Sequence, residues 1–323
     1  MKVLFISSGK NGPGISPFIR AQGESLKKMD VDLDYFMIER HGLLGYLRSA
    51  LRLRKHLRSN TAAILHAHYG LSAWVCLIAR RKEKLVVSFM GDDILGTNRA
   101  DGSVTRISLL LARINVFFAR KYYDHVIAKS EAMHTRLNTA CPALIPNGVD
   151  LCRFKPSTKL EARNNIGIAQ EAKLVIFASD PSRAEKNYRL AQRAVELMKN
   201  PEIILVPVFQ RTPESMPEYY NAADALVLTS FHEGSPNVIK EAMACNCPIV
   251  STDVGDVAWL IDGVEGCYLT SFDPNDVAAK LFLALKFAET KGRTKGRERL
   301  IELGLNSESV AKRIIAVYEK VLG

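Results

Sequence analysis

Short apolar runs recur along the chain, and the intervals between them carry a helical repeat of hydrophobic positions. Near-continuous apolar runs of four to seven residues are the mark of strands buried on both faces of a parallel sheet, and the alternation predicts βαβ units. In the first half the strands fall near Lys2–Ile6, Asp32–Phe36, Ala63–His66, Leu85–Phe89, His125–Ala128 and Ala143–Ile145. Helices are predicted between them at Ser16–Lys28, Gly45–Arg58, Leu71–Arg81, Ile107–Arg120 and Ser130–Thr139. The segment Ile145-Pro146-Asn147-Gly148-Val149-Asp150 is then dense in turn residues, with Gly148 free to take a positive φ. A second series follows, with strands near Leu174–Ala178, Ile203–Phe209, Ala225–Leu228 and Pro248–Ser251. A break at this turn divides the chain into a first domain, 1–150, and a second, 151–306, as its 323 residues favour. Residues 307–323 end it with a helical stripe (Val310, Ile314, Ile315, Val317, Tyr318, Val321) that packs either on its own domain or back on the first.

Composition keeps this within ordinary globular proteins: 47% of residues are hydrophobic and 24% charged. No window approaches the roughly 20 apolar residues of a membrane-spanning helix. The first apolar run is too short for a signal peptide and lacks a small-residue cleavage site, so a cytoplasmic protein is expected. The cysteines Cys76, Cys141, Cys152, Cys245, Cys247 and Cys267 form no CxxC pair and are expected as reduced, mostly buried thiols. Charge changes the picture more. The formal net charge is +10, and residues 1–150 hold 22 Lys and Arg against 12 Asp and Glu, whereas residues 151–323 hold 22 of each. The first domain is therefore expected to face something anionic. Within it, Tyr46–Arg58 reads as a basic amphipathic helix with a leucine stripe. Two readings are open for it: a core face with a solvated face, or contact with a membrane surface or an anionic acceptor.

The candidate chemistry lies in Ser230-Phe231-His232-Glu233-Gly234-Ser235-Pro236-Asn237-Val238-Ile239-Lys240-Glu241. This stretch follows the strand Ala225–Leu228, crosses a loop and enters a helix. Ser235 fits the N-cap and Pro236 the first helical position. The N–H groups of Asn237 and Val238 then lack intrahelical acceptors, and the positive end of the helix dipole favours an anion such as a diphosphate. Glu233 and Glu241 flank that seat and can accept hydrogen bonds from sugar hydroxyls. On spacing alone, both also read as solvated acids.

In this setting the sequence resembles the family 4 glycosyltransferases of the GT-B fold, whose hallmark is a Glu-x7-Glu motif. The segments Ala222-Ala223-Asp224-Ala225-Leu226-Val227-Leu228, Cys247-Pro248-Ile249-Val250-Ser251-Thr252-Asp253-Val254-Gly255 and Ile145–Asp150 match as well. The resemblance implies two Rossmann-like parallel-sheet domains facing each other across a cleft, the place of the last helix staying open between the two domains. It implies a retaining glycosyltransferase (hexosyl- or N-acetylhexosaminyl-transferring) that uses a UDP- or GDP-linked sugar, no metal and no other cofactor. By analogy Glu233 contacts the transferred sugar, Glu241 holds the ribose hydroxyls, and Gly234, Ser235, Pro236, Asn237 and Val238 cradle the diphosphate. An Arg and a Lys after the first strand of the second domain clamp the phosphates; here Lys186 matches, and Arg183 stands closer to it than the usual arginine. Negative charge builds on the diphosphate as the sugar leaves, so these cations stabilise the transition state more than the ground state. The Asp-x-Asp pairs at Asp30–Asp34 straddle a strand start and read as exposed edges, not a metal site.

Two departures matter. Many relatives carry a histidine before Gly-x-Asp where this chain has Met90-Gly91-Asp92-Asp93, which excludes a catalytic histidine at that position. His68 is the remaining first-domain candidate, either an acceptor contact or a packed residue. The span from Phe209 to Asn221 is short for a helix–strand unit usual in relatives. In the first domain Gly12 and Gly14 allow close approach of an acceptor or phosphate, or form a plain turn. The expected partners are a nucleotide sugar and a glycan or lipid-linked acceptor, as in polysaccharide or glycolipid assembly, with peripheral contact to an anionic inner membrane face. The alternatives are a nucleotide-sugar epimerase on the same fold, a silent binding protein, and a nucleic-acid binder. The first needs further carboxylates and histidines, the second fits poorly with an intact Glu pair, and the third lacks aromatic–basic interleaving.

Overall fold

The structure, a computed structural model, describes residues 1–9, 14–39, 42–97, 104–137 and 142–323. Gly12 and Cys141 lie outside the described residues. The elements run β1 (Lys2–Ser8), α1 (Pro17–Lys27), β2 (Asp32–Ile38), α2 (Leu43–Ser59), β3 (Ile64–His68), α3 (Gly70–Ala79), β4 (Lys84–Ser88) and α4 (Asp92–Leu95). Then come α5 (Arg106–Lys121), β5 (His125–Ala128), α6 (Glu131–Leu137) and β6 (Ala143–Leu144). The second series is α7 (Lys159–Ile166), β7 (Lys173–Phe177), α8 (Tyr188–Met198), β8 (Ile203–Pro207), α9 (Met216–Ala222) and β9 (Ala225–Leu228). It continues with α10 (Asn237–Ala244), β10 (Ile249–Thr252), α11 (Val257–Ile261), β11 (Cys267–Thr270), α12 (Pro274–Thr290), α13 (Gly296–Glu302) and α14 (Ser307–Leu322).

Two compact units result. One joins residues 1–97 and 104–148 to residues 307–323; the other holds residues 149–306. The first contains a parallel six-stranded sheet in the order β2-β1-β3-β4-β5-β6, the second a parallel five-stranded sheet in the order β11-β10-β9-β7-β8. Strand β11 is absent from the sequence-based reading because Cys267, Tyr268 and Leu269 are only partly buried at a sheet edge and give no continuous apolar signal. Between β8 and β9 there is one helix, α9, and no strand.

Each sheet is covered on both faces, and side-chain alternation sorts the residues. In β1, Leu4 and Ile6 join Leu65, Val87 and Phe89 in an apolar core against Leu53 and Leu57 of α2 and Cys76 of α3. The opposite face sets a polar cluster among the buried residues Val3, Phe5, Ile64 and Val86. There His66 accepts or donates at both ring nitrogens: Nδ1 lies 2.5 Å from the Tyr318 hydroxyl of α14 and Nε2 lies 2.8 Å from Ser88 Oγ. This answers where the last helix goes: α14 packs on α1 and β4, within the first unit. Close packing at the return is visible at Gly148, where any Cβ would sit 3.0 Å from the Ser307 backbone. In the second unit, fully buried Arg163 donates to Asp224 Oδ2 at 2.8 Å, and the same carboxylate accepts from Leu174 N at 2.7 Å, which pins α7 to the starts of β7 and β9.

His66 and His68 are both completely buried, and burial, with Lys129 nearby, holds both imidazoles well below the usual histidine range. The folded state thus holds them neutral, while the unfolded chain takes up protons below about pH 6.5. Stability from this source is constant above that value and falls as pH drops through it. The urea midpoint of the first unit is expected to be lower about one unit below that pH than about one unit above it, with a smaller gap in His68→Leu; equal gaps would refute the assignment. Replacing the Tyr318 hydroxyl leaves a buried nitrogen unsatisfied, so Tyr318→Phe should cost about 1–3 kcal/mol in chemical denaturation. An unchanged midpoint would show that the bond to His66 contributes nothing.

Candidate active site

In the second sheet the chain order reverses between β7 and β9, and ligands of open α/β sheets bind beyond the carboxyl ends of the strands at such a point. The loops leaving these two strands are tied together. Phe231 N donates to Glu185 O at 3.0 Å, and Thr229 Oγ1 donates to Asn187 O at 2.9 Å. The side chains follow: Lys186 Nζ donates to Glu233 Oε1 at 2.5 Å, and Ser230 Oγ donates to the same oxygen at 2.8 Å. Lys186 and Glu233 are only 15% and 14% exposed, so this is a shielded ion pair rather than a surface one. An ammonium carries three donors, and Glu233 engages one of them here. Arg183 is not brought into this pair. Its guanidinium turns onto Glu185 at 2.5 Å and stays half-exposed.

A third loop closes the site. Gly255, at φ +64°, follows β10, and a Cβ there would stand 2.7 Å from Gly234 O. Only glycine fits a position that both needs the left-handed region and touches a neighbouring backbone. Thr252 Oγ1 donates to Ser230 O at 2.8 Å and secures the same contact from the strand end.

Helix α10 begins at Asn237, one residue later than the sequence suggested, with Pro236 in the cap position at ψ 119°. Ser235 is not the N-cap. Its hydroxyl is taken up instead by a buried network, donating to Asp256 Oδ2 at 2.6 Å and accepting from Lys240 Nζ at 2.7 Å. Burial lowers the Lys240 ammonium from its usual range and raises the Asp256 carboxyl. Asp256 Oδ1 is buried without a hydrogen-bond partner among the described residues, beside the start of α10. Glu241 lies one turn into α10, where Tyr220 donates to its Oε2 at 2.7 Å. Burial raises the Glu241 carboxyl above the usual carboxylate range, against the lowering by Tyr220, Lys240 and Arg153. The structure therefore groups Lys186, Glu233, Gly234, Ser235, Pro236, Asn237 and Val238 at one helix start, with Glu241 further along the same helix. Tyr220, Lys240 and Asp256 belong to this constellation and were not read from sequence. Their nearest signal is Asp256 directly after the glycine turn.

In the first unit, the ring of His68 lies inside the fold, 4.6 Å from Phe5 and stacked 4.5 Å from His66. Neither of its nitrogens has a hydrogen-bond partner among the described residues. Gly14 has open space where a Cβ would be, at φ +137°. Asp93 does structural work in the Met90-Gly91-Asp92-Asp93 turn. Its carboxylate accepts from Met90 N and Gly91 N at 3.0 Å each and from Gly70 N at 3.1 Å, joining the loops after β3 and β4. Of the cysteines, Cys76, Cys245 and Cys247 are buried, Cys267 is partly buried and Cys152 is exposed; all five are free.

Comparison with known proteins bears on these features. A model of Glycosyl transferases group 1 matches residues 159–286, and one of Glycosyltransferase Family 4 matches residues 25–153. The D-inositol 3-phosphate glycosyltransferase of Actinosynnema mirum is 25% identical over 85% of this chain and 76% of its own length. That of Geodermatophilus obscurus is 28% identical over 74% of this chain, which spans 63% of the relative's length. Among solved structures, sucrose-phosphate synthase from Thermosynechococcus elongatus superposes with a TM-score of 0.75 at 19% identity, covering 99% of this chain and 98% of that one. Anabaena HepE, in complex with UDP and glucose, gives 0.74 at 18% identity, covering 99% and 100%. These structures carry the fold, GT-B, and the two models together account for both units. The chain belongs to the family 4 glycosyltransferases.

Proposed function

We propose that this protein is a retaining, metal-independent glycosyltransferase that moves a hexosyl or N-acetylhexosaminyl group from a UDP- or GDP-linked donor to a hydroxyl of a glycan or lipid-linked acceptor. The observation that carries this reading is the shielded Lys186–Glu233 pair at the sheet reversal, set against the start of α10 with Glu241 on the same helix. In this reading the diphosphate sits over the first N–H groups of α10, where the helix dipole favours it. Lys186 offers its remaining donors to the phosphate oxygens, and Glu233 accepts from hydroxyls of the transferred sugar. Glu241, oriented by Tyr220, keeps Oε1 for the ribose. The bond from the anomeric carbon to the diphosphate breaks with its electron pair left on phosphate. The acceptor oxygen bonds to that carbon on the same face, and its proton passes to the departing phosphate oxygen. Donors already in place for the developing charge need no reorganisation, which is how a site without a divalent cation can work. The UDP and UDP-glucose held by HepE support a nucleotide-sugar donor.

The acceptor side of the proposal rests on the +10 charge carried by residues 1–150. It places the protein in the cytoplasm with peripheral contact to the anionic inner face of a membrane, in polysaccharide or glycolipid assembly. No helix among the described residues is long and apolar enough to cross a membrane.

Glu241→Ala should weaken nucleotide-sugar binding by about 1.5–3 kcal/mol in calorimetry, the worth of hydrogen bonds to a charged acceptor. Glu233→Gln, which keeps the bond from Lys186 but loses the charge, should lower kcat with donor affinity nearly unchanged. Wild-type affinity and turnover in both variants would overturn the site. Activity should persist in excess EDTA. Loss with chelator and recovery with magnesium or manganese would overturn the metal-free mechanism, whatever the two Glu variants do.

A further inference from the structure

Helices α2 and α5 share an unusual composition: neither Leu43–Ser59 nor Arg106–Lys121 contains an Asp or Glu. Their apolar residues divide between two sides. On α2, Leu53 and Leu57 are buried in the core, while Leu43 is 87% exposed, Leu44 68% and Leu51 60%. On α5, Ala112, Asn115 and Ala119 face inward, while Ile107 is 75% exposed and Leu110 58%. The cations around these side chains are largely uncompensated. Arg52 pairs with Glu39 at 2.8 Å, and no carboxylate among the described residues pairs with Arg48, Arg54, Arg106 or Arg113.

The two helices belong to one layer. Both contribute to the same core on one face of the six-stranded sheet, and α3 packs between them, against α2 directly and against α5 through Trp74 on Phe118 at 5.6 Å. Each connects parallel strands, so each starts beside the carboxyl ends of the strands and runs back. The three most exposed apolar residues of the two helices, Leu43, Leu44 and Ile107, lie in first turns and so gather along the edge where the strands open, with Leu110 at the start of the second turn of α5 and Leu51 further along α2. On α2 Arg48, Arg52 and Arg54 follow behind them; on α5 Arg106 opens the helix and Arg113 follows.

We propose that this two-helix face docks on an anionic lipid bilayer, with the first-turn leucines and Ile107 entering the interface and the arginines meeting lipid phosphates. The occupant follows from charge: a surface with cations, outward leucines and no acids over two whole helices complements an apolar layer rimmed by anions. The inference rests on the membrane part of the proposed function, not on the sugar-transfer chemistry, and adds α5 and the docking edge to it. Docked there, the unit presents the carboxyl ends of its strands, with the His68–Gly70 turn, toward an acceptor held in the leaflet.

The test uses the full chain and phosphatidylcholine vesicles with and without phosphatidylglycerol, in co-sedimentation at low and high salt. Wild type should bind the anionic vesicles and lose binding as salt rises. The exposed pair Ile107→Ser/Leu110→Ser on α5, and Leu43→Ser/Leu44→Ser on α2, should each weaken binding roughly tenfold with unchanged circular dichroism, as expected for withdrawing large apolar side chains from the interface. Arg106→Glu/Arg113→Glu should weaken it more than tenfold, since one cation near an anionic leaflet is worth roughly fivefold. No binding by wild type overturns membrane contact altogether. Wild-type binding with undiminished α5 variants overturns this face while leaving membrane contact standing. A solution dimer that dissociates in the leucine variants overturns it in favour of a second copy of the chain.

Discussion

Lys186 and Glu233 face each other at 2.5 Å with little access to water, 47 residues apart in sequence. Two opposite charges so placed bind each other closely because neither has bulk water to return to, and removing one would strand the other. The consequences spread outward from that pair. The loop after β7 and the loop after β9 must end side by side, which the backbone bond from Phe231 to Glu185 then locks. The start of α10 is carried along by the second loop, and Gly255 makes room for it by having no side chain. A site assembled from three separate loops thus behaves as one rigid part.

The two units solve their interiors differently. The second has an apolar core of Val175, Phe177, Val227 and Val250, and places its buried polar groups at strand ends, as at Arg163–Asp224 and Ser235–Asp256. The first unit carries polarity in mid-sheet, on the face under α14. His66 there is satisfied on both sides by hydroxyls, and in the neutral ring that burial favours one nitrogen donates and the other accepts. A buried network of that kind is worth having when fully satisfied and expensive otherwise. Its third member, Tyr318, comes from the far end of the chain.

Most of the strand–helix order was legible because buried parallel strands write continuous apolar runs, and nearly every expected element is present within a residue or two. Glu233, Glu241 and Lys186 were picked out only through the family resemblance, since on spacing alone the two acids also read as solvated; the structure brings Lys186 to Glu233. What sequence did not disclose are partnerships with no local signature. Tyr220 with Glu241, Lys240 with Ser235, and His66 with Tyr318 are separated by 21, 5 and 252 residues, and nothing in the intervening pattern links them. Ser235 misled for the same reason, since its cap-like position is overruled by Asp256. The leucines of α2 could be placed on a stripe but not divided into core and surface until the helix had a sheet beneath it.

The first unit is assembled from both sides of the second in sequence, residues 1–97 and 104–148 before it and 307–323 after it. On the ribosome its strands emerge early, yet the helix that covers the face of His66 and Ser88 emerges only after residues 149–306, which are contiguous and can fold on their own schedule. The later-synthesised unit is therefore the earlier to be complete, and the nascent first unit waits with one sheet face open for roughly ten seconds or more at ordinary elongation rates. His66, His68 and Ser88, set among Val3, Phe5, Ile64 and Val86, make the waiting surface less apolar than the other face, where Leu4, Ile6, Leu65 and Val87 stand, and so less prone to stick to its neighbours.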